Sequence, residues 1–518
     1  MTPAEYRDRR VARTSGMIAV GLALGLTELA AGSLGGVPSL VAAVADRLVD
    51  ATPGAVDRAV IALLGTSDKP ALVAGVVVAS LFVGSRTGGA AVTRPWIGPA
   101  AFAALAVLGI AAAAAEPNAH VVVTLVTTLL SATVGAGALS LLLHVGMQAP
   151  PVATIDGEVE GVSAHTRRQF LGLAGGITLI AVAAATTGRL LAGHAASVAR
   201  SLISLPRPQR PAPPLPPGAS LSVPGISPLV SSNDSFYRVD TAIITPQLET
   251  VSWTLRIFGL VDHPFEISFP DLLNMPMVEE YVTLTCVSNE VGGDLVGNAR
   301  WLGVPVADLL DRAGVHRGAD QLVGRAVDGF TVGIPTAAVL DGRVALVAVG
   351  MNGDPLPFEH GFPARLVVAG LYGYVSATKW LTELQLTTFP AFDAFWVERG
   401  WAQQAPIKTE SRIDVPQDGQ TIAAGSTTIA GVAWAQTRGI SRVEVRVDDG
   451  TWNPAMLADA IGPNSWRQWL LPWDARAGSH TLAVRATDGH GVTQTSAIAP
   501  PAPDGATGYH TITVQAGG

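Results

Sequence analysis

Three observations predict a multidomain chain with an N-terminal α-helical transmembrane region of about five spans, a middle α+β domain and a C-terminal all-β sandwich. The first is apolar composition. Of 518 residues only 14% are charged and the mean hydropathy is +0.37, whereas an ordinary soluble domain is about one-quarter charged. The second is charge asymmetry. Residues 1–200 hold 13 Lys+Arg and 11 Asp+Glu, and the remaining 318 hold 20 and 30, so an apolar, nearly neutral part precedes an acidic one. The third is a change of pattern, from long apolar runs to short alternating stretches punctuated by turn residues. An acidic exposed region repels phosphates and argues against a nucleic-acid partner.

Five apolar stretches, at about 17–36, 70–85, 96–115, 120–145 and 170–193, approach the ~20 residues that cross a bilayer. Between the first two, Asp46, Arg47, Asp50, Asp57 and Arg58 break the pattern and predict a loop with an interfacial amphipathic helix. Basic flanks set the orientation. Arg7, Arg9, Arg10 and Arg13 precede the first stretch, Arg86 and Arg94 separate the second from the third, and Arg167 and Arg168 precede the fifth. Alternation places all three groups in the cytoplasm and delivers the chain after about residue 195 to the outer face of the cell membrane. His120 and His144 sit at opposite ends of the fourth stretch, which suits interfacial positions and not a haem pair.

Thr166-Arg167-Arg168-Gln169-Phe170-Leu171 fits an ordinary positive-inside flank and also a twin-arginine export signal. The following Gln-Phe-Leu and weakly apolar span favour the export signal. That route carries folded, cofactor-loaded domains.

The expected organisation is a transmembrane region over 1–195, a Pro-rich linker over 196–230, an α+β domain over 231–405 and an all-β domain over 406–518. Nine prolines fall between Pro206 and Pro228, a density that favours an extended spacer. Trp253–Gly259, Tyr281–Cys286, Arg365–Ala369 and Thr382–Thr387 read as strands, and Phe269–Leu273 as a short helix. No Gly-rich phosphate loop joins a strand to a helix there, so α+β is preferred to a nucleotide-binding fold. Further on, Val443, Val445 and Val447 alternate before Asp448-Asp449-Gly450, and Leu482, Val484 and Ala486 before Asp488-Gly489. With Tyr509–Val514 they suggest an immunoglobulin-like sandwich. Trp434, Trp452, Trp466, Trp469 and Trp473 are expected mostly to fill its core.

The single cysteine, Cys286, excludes an intramolecular disulfide, a cysteine-rich zinc site, an iron–sulfur cluster and two-cysteine haem attachment. It ends an apolar strand and opens into Gly-rich sequence, where sites are commonly built. A buried inert thiol remains the alternative from these residues alone.

Thr283-Leu284-Thr285-Cys286, with Ala299-Arg300-Trp301 and Gly303 downstream, resembles the cysteine region of the sulfite oxidase family of molybdenum enzymes. His360-Gly361-Phe362-Pro363-Ala364-Arg365, followed by Gly373 and Lys379-Trp380-Leu381, is similar to a second family segment. Asn233-Asp234-Ser235-Phe236-Tyr237-Arg238 is similar to its N-terminal cofactor loop. The resemblance covers about 230–515. It implies a sulfite-oxidase-like molybdopterin-binding domain and a dimerisation-type sandwich, hence a molybdenum–molybdopterin cofactor and a possible homodimer.

On this resemblance Cys286 matches the family's thiolate ligand to molybdenum, and a soft thiolate suits that metal. Asn233, Asp234, Tyr237, Arg238, His360, Arg365, Ser376 and Lys379 would hold the pterin and its phosphate, with Arg365 as a fork of donors and Lys379 as a point charge. Asp328 and Tyr372 would add polar groups near the metal. Where sulfite oxidases carry an arginine four residues after the cysteine, this chain has Glu290. A carboxylate there would repel a dianion.

The expected activity is two-electron oxygen-atom transfer on a small-molecule substrate, with sulfoxide or N-oxide reduction as one alternative. A metal-free cell-surface binding protein is the other. With no haem or iron–sulfur motif, electrons would pass through a cytochrome or a quinone-linked membrane protein. The protein would sit among membrane lipid, and nucleic acid is excluded as a partner.

Overall fold

The computed structural model describes residues 3–52, 56, 60, 68–116, 119–147 and 163–517. Asp57 and Arg58 of the expected interfacial loop lie outside these, as do the side chains of Arg7, Thr166 and Arg167. The chain divides into two units: 1–199 with 242–247, and 200–241 with 248–518.

In the first unit, α1 (Pro3–Ser33), α2 (Leu40–Ala51), α3 (Asp68–Ala91), α4 (Ile97–Ala114), α5 (Val121–Met147) and α6 (Ser163–Ser201) follow one another. Five of them, all but α2, are long and apolar enough to cross a membrane. The apolar runs therefore fold as expected, although α3 extends beyond the short stretch predicted at 70–85. Close backbone approach explains the glycines of these helices. A Cβ on Gly16 would collide with the carbonyl of Gly84, and one on Gly32 with that of Gly188. Small residues let apolar helices pack where no hydrophobic drive separates lipid from protein. Helix α2 starts at Ser39, whose Oγ accepts from the Ala42 amide at 3.3 Å, satisfying one of the orphan donors of its first turn.

The second unit contains two α+β sheets and two all-β sheets. Its first part runs β1 (Thr254–Gly259), β2 (Phe265–Ser268), α7 (Phe269–Leu273), β3 (Val278–Thr285), β4 (Val296–Pro305), α8 (Val306–Ala313), β5 (Gln321–Ala326), β6 (Thr331–Pro335), α9 (Thr336–Leu340), β7 (Ala345–Met351), β8 (Asp354–Pro355), β9 (Arg365–Val368), α10 (Gly373–Ser376) and β10 (Leu381–Thr387). One sheet has the order β2-β1-β10-β5-β6, and the other β3-β4-β7-β8 with β9 also on β7. Ser268 explains the start of α7. Its side chain accepts from the Asp271 amide while Asp271 caps back, a reciprocal capping box. Strands β4, β7 and β9 are buried on both faces, with Trp301, Val347, Leu366 and Val367 at 0% exposure, which is why they read as near-continuous apolar runs.

The sandwich comprises β11 (Glu410–Val415), β12 (Thr421–Ala423), β13 (Gly425–Trp434), β14 (Ile440–Val447), β15 (Trp452–Pro454), β16 (Met456–Leu457), β17 (Arg467–Ala475), β18 (Gly478–Asp488) and β19 (His510–Gly517). They form sheets β11-β13-β17-β16 and β12-β19-β18-β14-β15. Val443, Val445, Leu482, Val484 and Ala486 face inward as their alternation requires. The tryptophans divide differently from expectation. Trp469 is in the sandwich core, whereas buried Trp434 and Trp466 join the core of the α+β part. The indole of Trp466 donates to Leu229 O at 2.7 Å, which explains its orientation. Trp452 and Trp473 are only half-buried.

The Pro-rich segment is extended, as its composition dictates, but it is not a free spacer. The Gln209 amide donates to Met277 O at 2.8 Å, the Glu279 amide to Arg210 O at 2.9 Å and the Ser231 amide to Asn298 O at 2.8 Å. Leu221 and Ser227 donate to Gln468 Oε1 and Asp414 Oδ2. Ala219 and Leu229 are buried. Polyproline backbone has no internal hydrogen bonds, so its amides and carbonyls pair with the domains it crosses.

Candidate active site

Strand β3 is buried along its second half and ends at Thr285, so Cys286 emerges where pairing stops. The Cys286 amide donates to Leu295 O at 2.9 Å, and the Asn289 amide donates to Cys286 O at 3.1 Å. Asn289 Oδ1 accepts from the Leu295 amide at 2.9 Å and closes the loop. The thiol is buried and in no disulfide, and lines a partly open cavity. Burial pushes its pKa up, while hydrogen bonding from Ser288 and the charge of Lys379 oppose that rise.

The same cavity is lined by Tyr237, Asp328, Arg365 and Lys379. Arg365 opens β9 and is 3% exposed. Its Nη1 donates to His360 O at 3.0 Å, and its guanidinium lies 5.0 Å from the Trp301 ring centroid. Burial lowers its pKa to about 10. Lys379 Nζ is 3.1 Å from Asp240 Oδ2, which also accepts from Arg238 Nε at 3.1 Å. Burial takes the lysine down to about 8, with Asp240 pulling the other way. Burial likewise raises the Tyr237 phenol, and the neighbouring Cys286 adds to the rise, so the phenol stays protonated at neutral pH.

The other sequence-predicted residues sit behind or away from this cavity. Asn233 lies in the second layer: its carbonyl accepts from His360 Nε2 at 2.8 Å and its Oδ1 accepts from Asn352 Nδ2 at 2.8 Å. The His360 ring is buried, with a pKa lowered to about 4 mainly by desolvation. With Nε2 donating, its buried Nδ1 has no partner. Asp234 and Arg238 are exposed. Ser376 is fully buried and its Oγ donates to Leu371 O and Tyr372 O, both at 3.0 Å. It closes its own helical turn and does not line the cavity.

Tyr372 requires a similar correction. It is 1% exposed, on the side of α10 that faces buried Glu410 of β11, and does not line the cavity. Burial pushes the Glu410 carboxyl up to about 8, with Asn289 and Tyr372 as neighbours. Glu290 is also displaced from the expected place. Its carbonyl accepts from Gly293 N at 2.8 Å in a turn that leaves the side chain exposed and off the cavity lining.

Sequence reasoning missed Asp240, the partner of Lys379, and a set of rings lining the same space: Phe330, Tyr374, Trp380, Trp396 and Trp401. The aromatic density between Phe389 and Trp401 was the available signal for part of it.

These residues suit a pterin carrying its own metal. Two desolvated cations share one cavity with a thiol, and a terminal phosphate would supply the charge they face. Among the described residues no group of three His, Cys, Asp or Glu side chains could hold a metal ion unaided, so most ligands would come with the cofactor.

Comparison with known proteins agrees. Residues 242–396 match the oxidoreductase molybdopterin binding domain, and 410–484 a bacterial Ig domain. An uncharacterized oxidoreductase, YuiH, of Bacillus subtilis (strain 168) is 35% identical over 167 residues, covering 32% of this chain and 81% of that protein. The chain belongs to the sulfite oxidase family. Mitochondrial sulfite oxidase of Homo sapiens is 30% identical over 306 residues, which is 49% of this chain and 55% of the human protein. The chain thus spans about half the length of the sulfite oxidases it matches. The sulfane dehydrogenase SoxCD from Paracoccus pantotrophus superposes with a TM-score of 0.49 at 23% identity, over 58% of this chain and 86% of that one. Family membership carries the molybdenum–molybdopterin cofactor and an oxidoreductase domain.

Proposed function

We propose that this chain is a membrane-anchored, outward-facing oxidoreductase that transfers one oxygen atom to or from a small substrate, with the Cys286 thiolate as a molybdenum ligand. The observation that carries this reading is the opening of the only cysteine into a cavity that also holds two buried cations. When bound, the molybdenum centre supplies reversible two-electron exchange. The overall change is substrate + H₂O → oxidised substrate + 2H⁺ + 2e⁻, or its reverse.

The chain's own part is binding and orientation. Cys286 must lose its proton to bind metal, and the nearby Lys379 charge favours the thiolate. Arg365 and Lys379 would take the pterin phosphate, with Asp240 holding the lysine in place. His360 Nδ1, buried and unpartnered, is an acceptor behind the cofactor loop. Tyr237 is a protonated hydrogen-bond donor beside the thiol. Asn233, Asp234 and Arg238 would act by shaping that loop.

Five apolar helices support membrane anchoring. The distribution of Arg supports an outer catalytic domain, and the paired Arg167 and Arg168 support twin-arginine export. Electrons would pass to or from a cytochrome or a quinone-linked membrane protein, and two copies would pair through the sandwich.

Metal analysis of the full chain in detergent tests the core of this proposal. About one molybdenum per chain is expected, with a thiolate contribution in X-ray absorption that is lost in Cys286→Ala. Absence of molybdenum after expression in a host that makes the cofactor would leave the fold as a non-catalytic binding protein.

A further inference from the structure

The loop that carries Cys286 is held from outside its own sheet. It runs from the end of β3 at Thr285 to the start of β4 at Val296, and its Cys286, Val287 and Ser288 line the cavity. Its own bonds, at Cys286, Asn289 and Gly293, fold it into turns. The sandwich fixes those turns in place. Glu410 and Arg412 stand two residues apart on β11, a spacing that puts both on one face of the strand. Arg412 Nη1 donates to Gly293 O at 2.6 Å, and the Glu410 carboxyl faces the Asn289 side chain. From β19, the His510 ring lies against Gly292, where a Cβ would collide with the imidazole. That ring is held in turn by the Ile413 amide, which donates to its Nδ1 at 3.0 Å.

Arg412 is itself anchored. Its Nε donates to Asp414 Oδ1 and its Nη2 to Ser227 Oγ, both at 2.7 Å, while Asp414 Oδ2 accepts from the Ser227 amide at 2.9 Å. One guanidinium therefore joins the cysteine loop, β11 and the Pro-rich segment, and three separate bonds fix its plane. The strand leading into the loop is gripped in the same way. β3 pairs with β4 along one edge, and the sandwich meets the other edge at Thr283. The Thr283 amide donates to Asn464 O at 2.9 Å, and Gln436 Nε2 donates to Thr283 O at 2.8 Å and to Thr285 Oγ1 at 3.3 Å. Thr283, Thr285 and Gln436 are all buried, where unmade bonds are costly. Arg412, Gln436 and Asn464 stand off the cavity lining, so they reach the site only through the cysteine segment.

We propose that Arg412 is a positioning residue for the reaction, fixing the Cys286 loop through Gly293 and so holding the thiolate in place for the molybdenum centre. This rests on the reading of Cys286 as the metal ligand, and it gives the sandwich a part in the active site besides the pairing of copies. A ligand on an unsupported loop samples many positions, whereas one whose backbone is tied to a rigid sheet does not. Groups that orient a metal ligand without touching the metal are typically worth about 10- to 100-fold in metal affinity or activity.

The test compares Arg412→Ala and Arg412→Lys with Arg467→Ala in the full chain in detergent. Arg467 donates to Ala458 O and Ile440 O inside the sandwich, so its variant reports lost stability alone. The chain has one cysteine, and the rate at which a maleimide labels it in cofactor-free protein reads the loop directly. Labelling should be about tenfold faster in Arg412→Ala, intermediate in Arg412→Lys and near native in Arg467→Ala. In molybdenum-loaded chain, the molybdenum(V) paramagnetic resonance should shift in Arg412→Ala, return part-way in Arg412→Lys and stay native in Arg467→Ala. Native labelling or a native resonance in Arg412→Ala would overturn the proposal, as would equal acceleration in Arg467→Ala. If Arg412→Ala fails to fold, Gln436→Leu, which removes the donor to Thr283 and Thr285, is read against the same outcomes. If the native chain takes up no molybdenum, the ligand reading fails. Labelling then decides the hold on the loop alone: acceleration confined to the Arg412 variants supports it, and equal rates refute it.

Discussion

Two buried ionisable sites in the second unit resolve the cost of burial in opposite ways. At the cavity, Arg365 and Lys379 are buried cations with a carboxylate, Asp240, within 3.1 Å of the lysine and open space beside them. At the junction with the sandwich, Glu410 is 3% exposed, and neither carboxyl oxygen makes a hydrogen bond of good geometry. Its surroundings offer the Asn289 amide, the Tyr372 phenol and the charge of Lys408. An anion entering the first site would meet both cations. The second avoids the cost by keeping its proton. On the proposed reading, buried charge marks a binding site only where a cavity accompanies it.

The largest effect should come from the cavity. Cys286→Ala is expected to reduce turnover about a thousandfold and to remove the molybdenum–sulfur signal, while far-UV dichroism and the unfolding midpoint stay close to native. Retained turnover would break the contrast at its centre. Arg365→Ala and Lys379→Ala should each lower molybdenum content after purification about tenfold, because a buried phosphate would lose a charge-assisted partner. Cofactor retention in both variants would show that the cations are structural.

The junction predicts a pH signature instead. The Glu410 carboxyl sits near 8 in the folded chain and near 4.3 when unfolded. Between these values the unfolded state has lost the proton that the folded state keeps, so stability falls as pH rises across that window. Glu410→Gln should therefore raise the unfolding midpoint by several degrees at pH 8 and change it little at pH 4. Equal shifts at both would show that Glu410 does not titrate in this way. The smallest effect is expected at exposed Glu290, where Glu290→Gln should alter kcat/KM by less than about twofold. A larger change would return that side chain to the substrate's path.

Much of the architecture was legible because its signals are local. Apolar length announces the long helices, alternation announces β14 and β18, and Phe269-Pro270-Asp271 marks the start of α7. The position of Cys286 at a strand end was equally readable from Tyr281–Thr285. Tyr372, which precedes α10, and Ser376, at its end, stand off the cavity lining while Tyr374 between them reaches it, because residues two apart on a helical turn lie about 200° apart. Ser376 closes the turn, Tyr372 faces Glu410, and Tyr374 reaches the cavity. No sequence spacing reports that choice. The rings that line the cavity were obscure for another reason, since they come from three segments separate in sequence: the β5–β6 connection, α10 and the chain after β10. The proline segment shows that composition gives conformation but not location: it is extended, yet its amides and carbonyls are spent on neighbours.

That attachment has a consequence for strand β3. Its first residues are flanked by Gln209 and Arg210 through the bonds at Met277 and Glu279, and its Thr283 amide donates to Asn464 O at 2.9 Å. The strand that delivers Cys286 thus has its outer rim shielded by proline-rich chain at one end and by a sandwich loop at the other. A fragment beginning at residue 231 would bare the rim at Val278, inviting strand addition from another copy and self-association in solution.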